Sequence, residues 1–268
     1  MNQIDRYLIF GLQRVEGWLD PYSAEVIRVL SDVQRQSNFA GAVGEIGVHH
    51  GKLFILLILT AAEHEKAFVI DVFENQALNI DASGRGDKKK FLSNLGHWAG
   101  RPRAVSIIAK SSLEVRPEEL LFACGRVRIA SIDGGHTEEC ALNDLQLIEA
   151  VLTEHGIVIL DDYFNQHWPG VSAGAAKYLS DPNTKLRPFA ISPNKIFLTA
   201  PSNANFYRSQ LRRQKGFNVE TTAKMFGHEV DVYGCSQPKL TLTVCIKELI
   251  KRSPIGPYAM AIKAQFKR

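Results

Sequence analysis

Cysteine is scarce in this sequence. The four residues, Cys124, Cys140, Cys235 and Cys245, form no C-x-x-C pair, and four scattered thiols in a chain of this size exclude a disulfide framework. A reducing cytosol is the simplest home for them. The opening stretch, MNQIDRYLIFGLQRVEGWLD, mixes acids with apolar residues and lacks the basic start, apolar core and small-residue cleavage site of a secretory signal. Long hydrophobic runs are missing too. The longest, LFILLILTAA from 53 to 62, covers 10 residues, too few to span a bilayer, and reads as a buried helix. The chain has no internal repeat, no low-complexity segment and nothing compositional that suggests disorder. It also lacks G-x-G-x-x-G, the dinucleotide-binding fingerprint.

What is present is a globular sequence of 268 residues with 45% hydrophobic content, enough for one large α/β domain with or without a small appendage. The net charge of +4 is unevenly spread: residues 201–268 hold 12 Lys and Arg against 4 Asp and Glu, so residues 1–200 are net acidic. A basic tail suits nucleic acid, an anionic substrate or a protein partner, although solvated helix faces account for RSQLRRQK and KELIKR equally well.

From 42 to 200, short apolar runs alternate with helical patterns, the signature of a mainly parallel sheet covered by helices. AVGEIG (42–47), AFVIDV (67–72), AVSIIAK (104–110), VRIASID (127–133) and GIVILDD (156–162) read as five parallel strands. RPFAIS and KIFLTA, joined by Pro193-Asn194, read as an antiparallel hairpin at the sheet edge. Between strands four and five, Ala141, Leu142, Leu145, Ile148, Val151 and Leu152 fall at helical spacing, and Gly156 is expected to end that helix. Residues 1–40 read as amphipathic helices forming a cap, lid or dimer surface, 41–200 as the main domain, and 201–268 as a basic extension on the same domain with a polar helix and a β-like KLTLTVCI.

The first strand-to-helix turn, GAVGEIGVHHG, places Gly44, Gly47 and Gly51 where a sharp turn lets backbone N–H groups approach a ligand. Its E-x-G-x-x-x-G spacing, from Glu45 through Gly47 to Gly51, resembles the first motif of class I S-adenosylmethionine-dependent methyltransferases. The resemblance implies a Rossmann-like, seven-stranded, mostly parallel sheet with an antiparallel edge hairpin. It implies S-adenosylmethionine as cofactor, with Asp71 accepting both ribose hydroxyls, Ser111 and Ser112 near the adenine end, and Asp133 near the methionine end. Gln76 and Asn79, in the polar stretch FENQALNIDASGRGD, pass the same rim. His49 and His50 flank the cofactor loop and read as structural.

Strands four and five are expected to be neighbours, which brings Asp133, Asp161 and Asp162 to one rim of the sheet, where open α/β sheets bind ligands. Three carboxylates in a small space repel, and a hard cation such as Mg²⁺ removes the conflict. IDGGH together with LDDY resembles the metal-dependent sugar O-methyltransferases of macrolide and aminocoumarin antibiotic biosynthesis, over about residues 40–200. That resemblance implies Asp133, Asp161 and Asp162 as Mg²⁺ ligands, His136 as the base and a small-molecule hydroxyl as acceptor. An alkyl hydroxyl lies roughly 9 pK units above a free histidine, about 12 kcal/mol for full proton transfer, so His136 alone does not ionise a sugar and needs a Lewis acid beside it. His167 in YFNQHWPG is a rival base, and Tyr163 and Trp168 are candidates to pack against a sugar or aryl ring. A nucleic-acid methyltransferase is disfavoured because IDGGH stands where amino-methylating enzymes carry Asp/Asn-Pro-Pro-Tyr/Phe. A nicotinamide-dependent oxidoreductase and a non-catalytic scaffold on the same fold are the remaining readings.

Overall fold

The structure is a computed structural model, and it describes residues 1–100 and 104–234. The helices are α1 (Gln3–Arg6), continued by a π-helical turn (Tyr7–Gly11) into α2 (Leu12–Arg14), then α3 (Pro21–Gln36), α4 (Lys52–Thr60), α5 (Lys88–Ala99), α6 (Pro117–Cys124), α7 (Glu138–Val151), α8 (Pro169–Ser180) and α9 (Pro201–Arg213). The strands are β1 (Ala42–Ile46), β2 (Ala67–Ile70), β3 (Val105–Ile108), β4 (Val127–Ile132), β5 (Leu152–Asp161), β6 (Arg187–Ser192), β7 (Lys195–Thr199), β8 (Val219–Met225) and β9 (His228–Tyr233). They form one sheet in the order β3-β2-β1-β4-β5-β7-β6-β9-β8. β1 to β5 are parallel, and β7 is antiparallel to both β5 and β6.

Central strands buried on both faces need near-continuous apolar sequence, and β1, β2, β4 and β7 are buried throughout. Alternate side chains go to opposite layers. Val43, Val69, Ile129, Ile157, Ile159 and Phe197 pack with α3 and α4, while Ile46, Phe68, Ala130, Ile132, Val158 and Leu160 pack with α7 and α8. LFILLILT is buried at every position, as a helix apolar all round must be.

Four expectations are corrected. The sheet has nine strands rather than seven, because β9 pairs in parallel with β6 and carries β8 outside it. The β6–β7 hairpin therefore does not form the sheet edge. β8 does, with mostly exposed side chains; its polar sequence gave no apolar signal. Gly156 does not end α7: the helix stops at Val151 and β5 begins at Leu152. α3 is no lid, since Ala24, Val26, Ile27, Leu30 and Val33 lie in the core of one layer, and Tyr7, Leu12 and Val15 from the preceding helices join them. KLTLTVCI, Cys235 and Cys245 lie outside the described residues.

Candidate active site

The C-terminal ends of β1, β2, β4 and β5 meet at one rim, and the backbone there is closely fitted. Gly47 has φ 80°, and a Cβ on it would lie 1.7 Å from the carbonyl oxygen of Asp133. Only glycine lets the first loop pass this close to the fourth. Gly51, with φ 90°, turns the chain into α4. Below the loop the Glu45 side chain is buried, and its Oε2 has no hydrogen-bond partner. Burial first, and the neighbouring Asp133 second, hold its pKa well above the usual carboxylate range.

Asp71 lies at the end of β2, where its Oδ2 accepts from the His49 N–H at 2.7 Å and its Oδ1 from the Phe73 N–H at 2.6 Å. Burial raises its pKa against these bonds. Ser111 caps the turn after β3, and Ser112 is buried beside Asp144 of α7. Gln76 and Asn79 brace their own loop instead: Gln76 Nε2 donates to the Phe73 carbonyl, and Asn79 Nδ2 donates to that of Ser83.

The acids form a tighter constellation. His136 Nε2 lies 3.0 Å from Asp162 Oδ2 and 3.8 Å from Asp133 Oδ1. One ligand atom from each of Asp133, His136 and Asp162 falls within 4.8 Å of the others. On the other side of the imidazole, Asp81 Oδ2 accepts from the His136 backbone N–H at 2.5 Å and from Nδ1 at 2.8 Å. Trp168 stacks on the ring at 4.4 Å. Burial alone would lower the His136 pKa, but the Asp133, Asp162 and Asp81 carboxylates outweigh it and push it up to about 10. Burial likewise opposes ionisation of Asp162, yet hydrogen bonds from His136, Asn165 and Asn194 bring its pKa down to about 2. Asp133 is raised, by burial and then by the charge of Asp161.

Asp161 and Asp162 are consecutive and share Asn194 Nδ2 as a donor, but their cationic partners differ, Lys195 for Asp161 and His136 for Asp162; Asp162 stands in the left-handed region at φ 58°. Asp161 Oδ2 forms a buried ion pair with Lys195 Nζ, and its Oδ1 accepts from the Asp162 N–H and Asn194 Nδ2. The register of β5 against β7 sets Asp161 opposite Lys195. Asp161 is thus drawn away from the His136 group, which the sequence did not anticipate. His167 is exposed, and its backbone N–H donates to Asn165, so the rival base is not brought into the group. Tyr163 is partly buried and packs on the core.

Three contributors were not anticipated: Asp81, Lys195 and Asn194. Together Glu45, Asp81, Asp133, Asp161 and Asp162 supply five carboxyl groups against two cationic side chains, His136 and Lys195. Such a rim favours cationic ligands. A sulfonium cofactor and a divalent ion both meet that description, and two carboxylates with one imidazole within 4.8 Å make a donor set that fits a divalent metal.

Residues 45–163 match the family described as "Methyltransferase domain", and the fold is that of class I methyltransferases. Among solved structures it is similar to the O-methyltransferase NovP, with TM-score 0.56, 15% identity, and 66% of this chain and 80% of that one covered. It is also similar to an O-methyltransferase from Bacillus cereus in complex with SAH (TM-score 0.52, 10% identity, 74% and 90% covered). A SAH-bound methyltransferase from Podospora anserina gives TM-score 0.51 at 11% identity, with 75% and 88% covered. At these identities the likeness is one of fold. No curated protein sequence matches the chain. Among the described residues no helix is long and apolar enough to cross a membrane.

Proposed function

We propose that the chain methylates a hydroxyl group of a small molecule, a sugar or a glycosylated natural product, with S-adenosylmethionine as donor and a divalent cation at the Asp133–Asp162 cluster. The observation that carries this reading is the convergence of Asp133, His136 and Asp162 on the rim where the cofactor loop, Gly47 to Gly51, also ends. Glu45, Gly47, Gly51, Asp71, Ser111 and Ser112 form the cofactor side. Asp71, held by the His49 and Phe73 N–H groups, is the carboxylate to accept the ribose hydroxyls. Trp168 and Tyr163 offer ring faces beside the acids for the acceptor.

A bound cation supplies Lewis acidity, which lowers the cost of removing the acceptor's proton. His136 reaches the same place, yet with its pKa near 10 it is an imidazolium when no cation is bound, and an imidazolium has no lone pair to take a proton. Cation and protonated His136 are therefore alternatives at one position. The reading is tested by release of S-adenosylhomocysteine with a panel of free sugars, glycosides and nucleotide sugars. Release with at least one hydroxyl acceptor, abolished by EDTA and restored by a divalent ion, is expected. Full activity in a metal-free preparation would remove the cation from the scheme. Cofactor binding without turnover on any hydroxyl acceptor would overturn the proposal as a whole.

A further inference from the structure

The expected cation set is three aspartates, but Asp161 is held by Lys195 and Asn194, and the atoms that converge belong to Asp133, Asp162 and His136. We propose that His136 is itself a ligand of the divalent cation through Nε2, beside Asp133 and Asp162, and that Asp81 is the positioning residue that fixes its ring. This deepens the cation reading above and rests on it.

Asp81 as a carboxylate only accepts hydrogen bonds, so the Nδ1 that faces it at 2.8 Å carries the hydrogen. The same Asp81 oxygen also holds the His136 backbone N–H at 2.5 Å, tying ring and main chain to one acceptor. In the neutral ring, the single available lone pair is then on Nε2, directed toward Asp162 and Asp133. A lone pair and two carboxylates that face one another within 4.8 Å make a donor set suited to a divalent cation. Trp168, stacked at 4.4 Å and 19° from parallel, covers one face of the ring and holds it in its present plane. A carboxylate that accepts from the far nitrogen of an imidazole is the arrangement that orients a metal-binding histidine and raises its basicity.

Two consequences follow. Ligand and base are exclusive uses of one lone pair, so His136 does not also take the acceptor's proton. One nitrogen donor among oxygens shifts preference from Mg²⁺ toward first-row ions such as Mn²⁺, Fe²⁺, Co²⁺ and Zn²⁺.

The test is Mn²⁺ titrated into the full chain and followed by pulsed EPR, with unlabelled and [¹⁵N]histidine-labelled protein. Wild type should show a nitrogen coupling that changes isotope with the label and disappears in His136→Gln. Asp81→Asn should keep S-adenosylhomocysteine binding while weakening Mn²⁺ affinity on the order of 10- to 100-fold and altering the nitrogen coupling. Mn²⁺ bound with no nitrogen coupling would overturn the inference and leave an all-oxygen cation site standing. An Asp81→Asn variant with unchanged affinity and coupling would remove Asp81 from it. Absence of any Mn²⁺ binding would sink this inference and the cation reading together.

Discussion

Two buried ionic networks sit near opposite ends of β4, and they differ in how completely they are satisfied. Near its start, Arg128 is fully buried and its guanidinium donates to Glu65, Ser31, Gln34 and the Thr60 carbonyl. Glu65 in turn accepts from the backbone of Gly41 and Ala62. Near its C-terminal end, Asp133 stands among other acids, Glu45 keeps an oxygen without a partner, and His136 is shared by three carboxylates. The first network has a partner for each charge and joins α3, α4 and β4. The second is short of positive charge, and that shortage marks where a cationic ligand belongs.

Mutation should separate the two. Arg128→Ala leaves Glu65 buried without its partner and is expected to cost about 3–5 kcal/mol of stability. Urea unfolding midpoints measure this, and an unchanged midpoint would mean that Arg128 is not the clamp described. His136→Ala should act oppositely, removing a proposed cation ligand and lowering turnover on the order of 10- to 100-fold with S-adenosylhomocysteine affinity and melting temperature little changed. Steady-state kinetics beside calorimetry would detect the reverse.

A third network, on the added hairpin, should behave like the first. Asp231 is fully buried and accepts from Arg208, Arg212 and Thr222. Burial opposes its ionisation, but these donors bring its pKa down to about 2. Because the folded value lies below the unfolded one of about 3.9, its contribution is complete above pH 4 and is lost as pH falls toward 2. It is worth roughly 2 kcal/mol. Asp231→Asn should therefore destabilise the protein at neutral pH, with the difference shrinking in acid. A constant difference from pH 7 to pH 2 would contradict the assignment.

The legible parts of this molecule are those where side-chain pattern and chain direction suffice. VRIAS and GIVIL are buried strands because nothing polar interrupts them, and the acids that follow them must reach the same rim once the strands are neighbours. Asp133, His136 and Asp162 were visible in that way. Lys195 was not: it opens KIFLTA as an ordinary strand-end lysine, and only the antiparallel register of β5 with β7 sets it against Asp161. Asp81 was hidden differently. It lies in a loop with no periodicity, 55 positions from the histidine it holds, and no local pattern encodes a contact of that range. The β8–β9 hairpin escaped because β8 is an edge strand with mostly exposed side chains, so it shows none of the apolar alternation by which a half-buried strand is read.

The dipeptide at the end of β5 also divides its labour. Asp161 is committed to Lys195 and Asp162 to the imidazole. If the proposed cation binds, the donors it meets are governed in part from β7, through Lys195, a residue that is no ligand itself. A neutral residue at 195 would then free Asp161 to join the oxygen donors and would shift the preference toward magnesium.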